Sequence, residues 1–460
     1  MCTRSAVLAW SPVVALVPLR VLVVVGVLAV RIGARPRALV GPVPMSRAGL
    51  GGLSRPAMVA GMLEELESID WSRLEHAYGS AADVPDQIRA LTSVDPDERD
   101  RALGELYSNI FHQGTRYEAS AHAVPFLLEL VRNPERPDRD LLGLLTSLAI
   151  GYDVAWLPDG FPVAQLREAA RGGEEVLRSA PPLGDGDESA ERRLLYWDNL
   201  DPEVEARGYA YVELAAYDAV RAGVPAFVDI LAQPDASAGD RTGAAYALAW
   251  FPEEASVSVP ALARAAADSE PAVAASALVA LGLVGGDAEV GTIEAALDDP
   301  RDVVRWGAAI ALARLRGPAA GPRVAEELLT WARSDEGSRE EIPFLDGDLA
   351  GYASLALGQL GSETDEAAFS ALLTRLPSVS GPEALTVVGE ALKRAFPNGP
   401  VPAGQAFAAL DERQRRLLTA LAESPSTWRW GGMSFGNFTL MMREYGLPGS
   451  PEEMRQYVDG

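Results

Sequence analysis

A chain of 460 residues, 48% apolar, is long enough for a sizeable core, and 65 acidic against 40 basic side chains give a net charge of −25. The balance is uneven: residues 1–57 hold seven arginines and no acid, so the remainder carries 33 basic and 65 acidic groups, a net of −32. Such a body repels phosphate backbones, which argues against nucleic acid as a partner, and a single cysteine, Cys2, excludes an internal disulfide framework or a cysteine metal cluster.

The first element in chain order is the apolar run "AVLAWSPVVALVPLRVLVVVGVLAV" (6–30), which reads as a membrane tether or a signal segment. Pro12, Pro18 and Arg20 stand against a clean span; an arginine near the centre of a membrane helix costs about 2.5–3.5 kcal/mol. Residues 31–57 lack periodicity, and Met45, Met58 and Met62 offer later starts. Residues 1–57 are therefore read as disordered, a tether or a mis-assigned start, with the later start preferred. Cysteine usage fits the cytoplasm, with membrane tethering through 6–30 as the alternative.

From Met62, "MLEELESIDWSRLEHAYGS" turns acidic and predicts an amphipathic helix. His76 then falls at its end before Gly79, where an imidazole satisfies terminal carbonyls. A second helix is expected to begin near Asp95. The polar stretch "HQGTRYEASAH" (112–122) follows, with His112, Tyr117, Glu118 and His122 as candidates to converge on a ligand or metal. A metal site needs three or four convergent ligands. With two histidines nearby, the stretch is read instead as a turn at Gln113-Gly114-Thr115. Any binding patch is nonetheless placed here, with His112, Gln113, Tyr117 and Glu118 as partner contacts and neither catalytic residues nor a metal or cofactor.

"VPFLLEL" (124–130), "VPAFVDI" (224–230) and "VPALARA" (259–265) each set Val-Pro before an apolar run, which predicts a proline in the first turn of a helix. "APPLGDGDESAERR" (180–193) reads as a flexible insertion, and "DGDLAG" (346–351) as a solvated loop. Neither "GDGDES" (184–189) nor "DGDLAG" continues into a calcium loop.

Four stretches superpose without gaps: "AAYALAWF" (244–251), "ALVALGLV" (277–284), "AAIALARL" (308–315) and "ASLALGQL" (353–360). Each has alanine first and fourth, leucine fifth and a large apolar residue eighth, offsets that share one helical face. The leucines, Leu248, Leu281, Leu312 and Leu357, lie 33, 31 and 45 residues apart, two helical-hairpin lengths and one with an insertion at 334–348. Such a pair cannot bury its stripe alone, so the expected fold is all-α, a right-handed α-solenoid of stacked hairpins over 58–423, clearest at 236–376.

"DPRDVVRWGAAIALARLRG" resembles the HEAT repeat in its phycobilisome-lyase-like form, through Asp299, Pro300, Val304, Arg305, Ala308, Ala309, Ala311, Leu312, Leu315 and Gly317. The segments at 76–91 and 109–130 are similar to bacterial HEAT-repeat proteins with no assigned activity. The resemblance implies a solenoid and transfers no reaction. HEAT-repeat hydroxylases hold iron with His-Glu dyads, and this chain has no His-Glu dipeptide.

Residues 424–460 concentrate Trp428, Trp430, Met433, Phe435, Phe438, Met441, Met442 and Tyr445. They read as a cap sealing the solenoid's end, or as an adaptable binding surface in which Trp428 and Trp430 are partner contacts. "SPEEMRQYV" predicts a final helix with Ser450 as cap, Pro451 first and Glu453 completing a capping box. The functional expectation is a non-catalytic scaffold whose acidic concave surface binds a basic or amphipathic protein, in a regulatory or toxin-neutralising role. The alternative is a HEAT-fold enzyme, lyase- or hydroxylase-like, with a pocket around 112–122.

Overall fold

The computed structural model describes residues 64–132, 139–184, 187–335, 338–402 and 404–460. The readings made for residues 1–57, and the later starts, lie outside them. The described chain is an all-α solenoid interrupted by three small β-hairpins. In its regular part Val224–Ala232 packs on Ala238–Leu248, Ala255–Ala265 on Pro271–Val284, Val290–Ala296 on Asp302–Arg316, and Pro322–Ala332 on Leu349–Ala356, while Ala238–Leu248, Pro271–Val284, Asp302–Arg316 and Leu349–Ala356 pack in turn on one another.

The repeated phrase forms the seam between neighbouring pairs. Leu248, Leu281, Leu312 and Leu357 are buried, as are all eight aligned alanines. Small residues bring backbones into contact: a Cβ on Gly282 would lie 2.6 Å from the Cα of Ala311, and one on Gly307 would lie 2.7 Å from the Ala275 carbonyl. Charged groups link the units at their rims, where Arg241 pairs with Asp268 at 3.3 Å and Arg301 donates to the Asp268 carbonyl at 2.7 Å.

Two Val-Pro prolines do not start their helices. Pro225 does, but Pro125 and Pro260 lie inside Glu118–Val131 and Ala255–Ala265. Both rings are exposed, so the carbonyl that each leaves without an amide partner is on the solvent side, where water can satisfy it. Residues 64–80 also differ from the expected amphipathic helix. Glu64–Ser68 and Trp71–Arg73 are single 3-10 turns, and Glu75–His76 pairs with Gly79–Ser80 as a hairpin.

Two connections break the nearest-neighbour pattern of a simple stack. Segment 151–161 runs across the ends of successive helices, where Arg314 donates to the Asp159 carbonyl at 2.8 Å and Gln359 to the Pro158 carbonyl at 3.5 Å. The backbone N–H of Leu345 donates to Asp153 at 2.8 Å. That contact closes 192 residues of chain. The 346–351 stretch is consequently no solvated loop. Leu345 (φ 52°), Asp346 (φ 53°) and Gly347 (φ 80°) make a left-handed turn, Gly347 is buried because a Cβ there would meet the Arg339 carbonyl at 2.3 Å, and Asp348 caps the next helix while pairing with buried Arg375 at 2.7 Å.

A second core begins at Phe369 and continues to Met454, separate from the one spanning Leu66 to Ala371. Helix Asp365–Arg375 serves both, Ala368 and Ala371 facing one and Phe369 and Leu372 the other. The final helix, Pro451–Asp459, is capped by Ser450, whose Oγ accepts the Glu453 N–H at 3.2 Å. The Glu453 carboxylate reaches back to the Gly449 N–H, one residue before the reciprocal capping-box position.

Candidate functional site

The polar stretch around 112–122 is organised by two adjacent hairpins. In the second, Phe111–His112 pairs with Thr115–Arg116, and Gln113 (φ 51°) and Gly114 (φ 87°) supply the left-handed pair that a two-residue hairpin turn requires. Gln113 thus contributes backbone geometry, and the turn read from Gln113-Gly114-Thr115 is a hairpin turn. The ring of Tyr152 lies 3.1 Å from where a Gly114 Cβ would stand.

His76 sits in the first hairpin, where the helix-end reading had not placed it. Its Nδ1 accepts the Tyr78 N–H at 3.1 Å, so Nε2 carries the proton donated to Asp83 at 3.0 Å. Asp83 also accepts from Gln87 at 2.8 Å and Asn109 at 3.0 Å, which ties the first hairpin to the helix Pro96–Asn109. His112 meets Tyr78 edge to face, with centroids 5.4 Å apart and the hydroxyl 3.4 Å from Nδ1. Tyr78 itself is 67% exposed.

Tyr117 precedes the helix Glu118–Val131, its N–H held by Ser120 Oγ at 2.8 Å. Burial, and then the nearby Glu75 and Tyr78, push its hydroxyl up to about 12. Glu118 turns inward. Its carboxylate pairs with Arg193 and accepts the Glu75 N–H at 3.3 Å, while burial, outweighing the guanidinium's attraction, holds it above the usual carboxylate range. His122 is exposed, so Glu118 and His122 do not converge despite their spacing of four. Among the described residues, no group of three or more His, Cys, Asp or Glu side chains is arranged to hold a metal ion.

Arg193 overturns half of the flexible-insertion reading of 180–193, because Asp187–Asp198 is a helix. Its guanidinium is buried and donates to Glu75 at 2.8 Å and the Pro181 carbonyl at 2.8 Å in addition to Glu118. Trp197, on the same helix side, stacks on Tyr209 at 5.0 Å and 18°. The Tyr209 hydroxyl bonds Glu205, whose carboxyl is raised by burial and then by repulsion from Asp198. Sequence reasoning missed Glu75, Arg193, Asp198, Glu205 and Tyr209. The signal was there: Ser189, Arg193 and Trp197 recur every four residues, all three are buried, and that spacing is helical.

The aromatic C-terminal pair divides. Trp428 is 3% exposed and donates to the Leu421 carbonyl at 3.1 Å, so it is part of the second core and has no face to offer a partner. Trp430 is half-buried against Gly381, and Met433 at the tip of the same hairpin is 73% exposed.

Residues 258–341 match the family of HEAT repeats. This chain carries a HEAT-repeat solenoid. No curated protein matches it. Among solved structures, one titled as an engineered protein is similar over 82% of this chain and 99% of its own, at 16% identity and a TM-score of 0.29, a likeness that carries no argument. No described helix is long and apolar enough to cross a membrane.

Proposed function

We propose that this chain is a non-catalytic, cytoplasmic interaction scaffold that captures a basic or amphipathic protein segment, in a regulatory or toxin-neutralising role. The observation that carries the reading is a body of net −32 beyond residue 57 laid on stacked HEAT pairs. Surface charge of one sign steers an oppositely charged partner and accelerates its capture. HEAT-repeat arrays commonly hold protein segments, and the phycobilisome-lyase-like form of the repeat at 299–317 belongs to the same reading. Around 112–122, His112 and Glu118 are engaged with Tyr78 and Arg193, pairings that hold hairpins and helix together and favour binding over lyase- or hydroxylase-like chemistry. The C-terminal unit with buried Trp428 is proposed as the cap of the stack.

The test is titration of the full chain with a fluorescent basic amphipathic peptide at low and high salt. Binding that weakens as salt rises is expected. Absence of binding at low salt overturns the proposal.

A further inference from the structure

Helix Asp187–Asp198 is attached along one narrow line. Ser189, Arg193 and Trp197 are buried at successive four-residue steps, and the Tyr196 hydroxyl adds a bond to the Val176 carbonyl at 2.7 Å. The opposite side faces solvent. Leu194 is 62% exposed and Leu195 50%, two adjacent leucines where a surface helix ordinarily carries polar groups. Glu188, Glu191 and Asp198, all exposed, recur at helical spacing around Leu195 and outnumber the exposed Arg192 beside them, so the apolar pair is flanked by net negative charge.

The charge at the end of this helix is uncompensated. Asp198 occupies the last residue, where the backbone dipole is already negative and a carboxylate is disfavoured. It repels Glu205 across the turn, and Glu205 is supported by the Tyr209 hydroxyl. Among the described residues neither carboxylate has a basic partner in an ion pair. A cation placed between them would relieve both the repulsion and the dipole, with the Tyr209–Trp197 stack beside it as an apolar wall.

We infer that this helix face is the docking surface for the partner, a basic amphipathic helix that lays its apolar stripe on Leu194 and Leu195 and sets an arginine or lysine between Asp198 and Glu205. The inference rests on the scaffold reading and assigns it a location. Charge complementarity selects the occupant: a neutral or acidic helix would bury the leucines while leaving Asp198 and Glu205 without a counter-charge, whereas a basic one compensates them.

The experiment measures fluorescence anisotropy of a synthetic amphipathic helix of leucine and arginine against the full chain. Leu194→Asp combined with Leu195→Asp is expected to weaken binding about tenfold or more. Asp198→Arg combined with Glu205→Arg is expected to do the same and to flatten the salt dependence. Val257→Asp, at an exposed apolar position on a different helix (42% exposed), is expected to change nothing. Circular dichroism of each variant checks that the helix, still anchored by Arg193 and Trp197, is retained. If the wild type binds and both paired variants bind equally well, the location is overturned and the scaffold reading stands. If the wild type itself fails to bind at low salt, both fall together.

Discussion

Replacing Arg193 with methionine keeps a long apolar stem and deletes the guanidinium that joins three segments distant in sequence. In the native structure the side chain is 5% exposed and that of Glu118 11%, so this arm of the network is a buried ion pair, while Glu75, at 36%, is partly solvated. Removing one partner of a buried pair leaves an uncompensated charge and costs about 3–5 kcal/mol. The solvated Glu75 arm adds little, about 0–1 kcal/mol, because water screens it. The loss is local, so it is best read by limited proteolysis and hydrogen exchange over 180–201, with urea unfolding alongside. The deficit also has a pH sign. Burial already raises the Glu118 carboxyl, and without the guanidinium only the Glu75 N–H opposes it. The folded variant therefore holds its proton to higher pH than the unfolded chain, whose glutamate titrates at about 4.3, and its deficit grows as pH rises above that value. Glu118→Gln in the same chain should remove this pH dependence. An unchanged urea midpoint and cleavage pattern for Arg193→Met at about pH 8, far above the value at which an unfolded glutamate titrates, would refute the reasoning.

Gly282→Ala should destabilise the stack by about 1–3 kcal/mol through overpacking, against a gain of about 1 kcal/mol in helix propensity; because the nearest atom is the Ala311 Cα, adding Ala311→Gly should not rescue it in urea unfolding. Asp153 is pushed up to about 7, by burial first and then by Asp346. A raised carboxyl is a penalty that sets in above the unfolded value and is complete above the folded one, so wild-type stability should fall between about pH 4 and about pH 7 at up to about 1.4 kcal/mol per pH unit from this group. Asp153→Asn should remove that component, and equal slopes in the two proteins would contradict it. Trp428→Ala should cost about 3–5 kcal/mol as a core truncation, measured by thermal unfolding of the C-terminal unit, while Trp430→Ala at its half-buried site should cost clearly less.

Much of the repeat region was readable because every helix pair meets its neighbour about thirty residues away, and the same apolar spacing serves helix formation and stacking at once. Ala244, Ala277, Ala308 and Ala353 are small for the same reason in each unit, and all are buried. Val-Pro was a poorer guide. The dipeptide is compatible both with a first turn, as at Pro225, and with the exposed side of a helix interior, as at Pro125 and Pro260, and local sequence does not distinguish them. The candidate site was half legible: Gln113-Gly114-Thr115 marks a turn that the structure forms as a hairpin, yet the four-residue spacing of Glu118 and His122 gives no hint that the partner of Glu118 lies 75 residues away.

Sequence alone therefore determined the helical class, the repeat, its seam of alanine and leucine, and the acidity of the body, since these follow from side-chain period and composition. Tertiary structure alone decided that segment 151–161 crosses the stack, that Asp153 holds Leu345, that Trp428 is core and Leu194 is surface, and that Arg193 fastens an acidic helix over the N-terminal hairpins. Those contacts join residues whose separation in the chain has no period. They exist because the superhelix brings its own distant turns within hydrogen-bond reach, a consequence of how many small rotations accumulate from pair to pair.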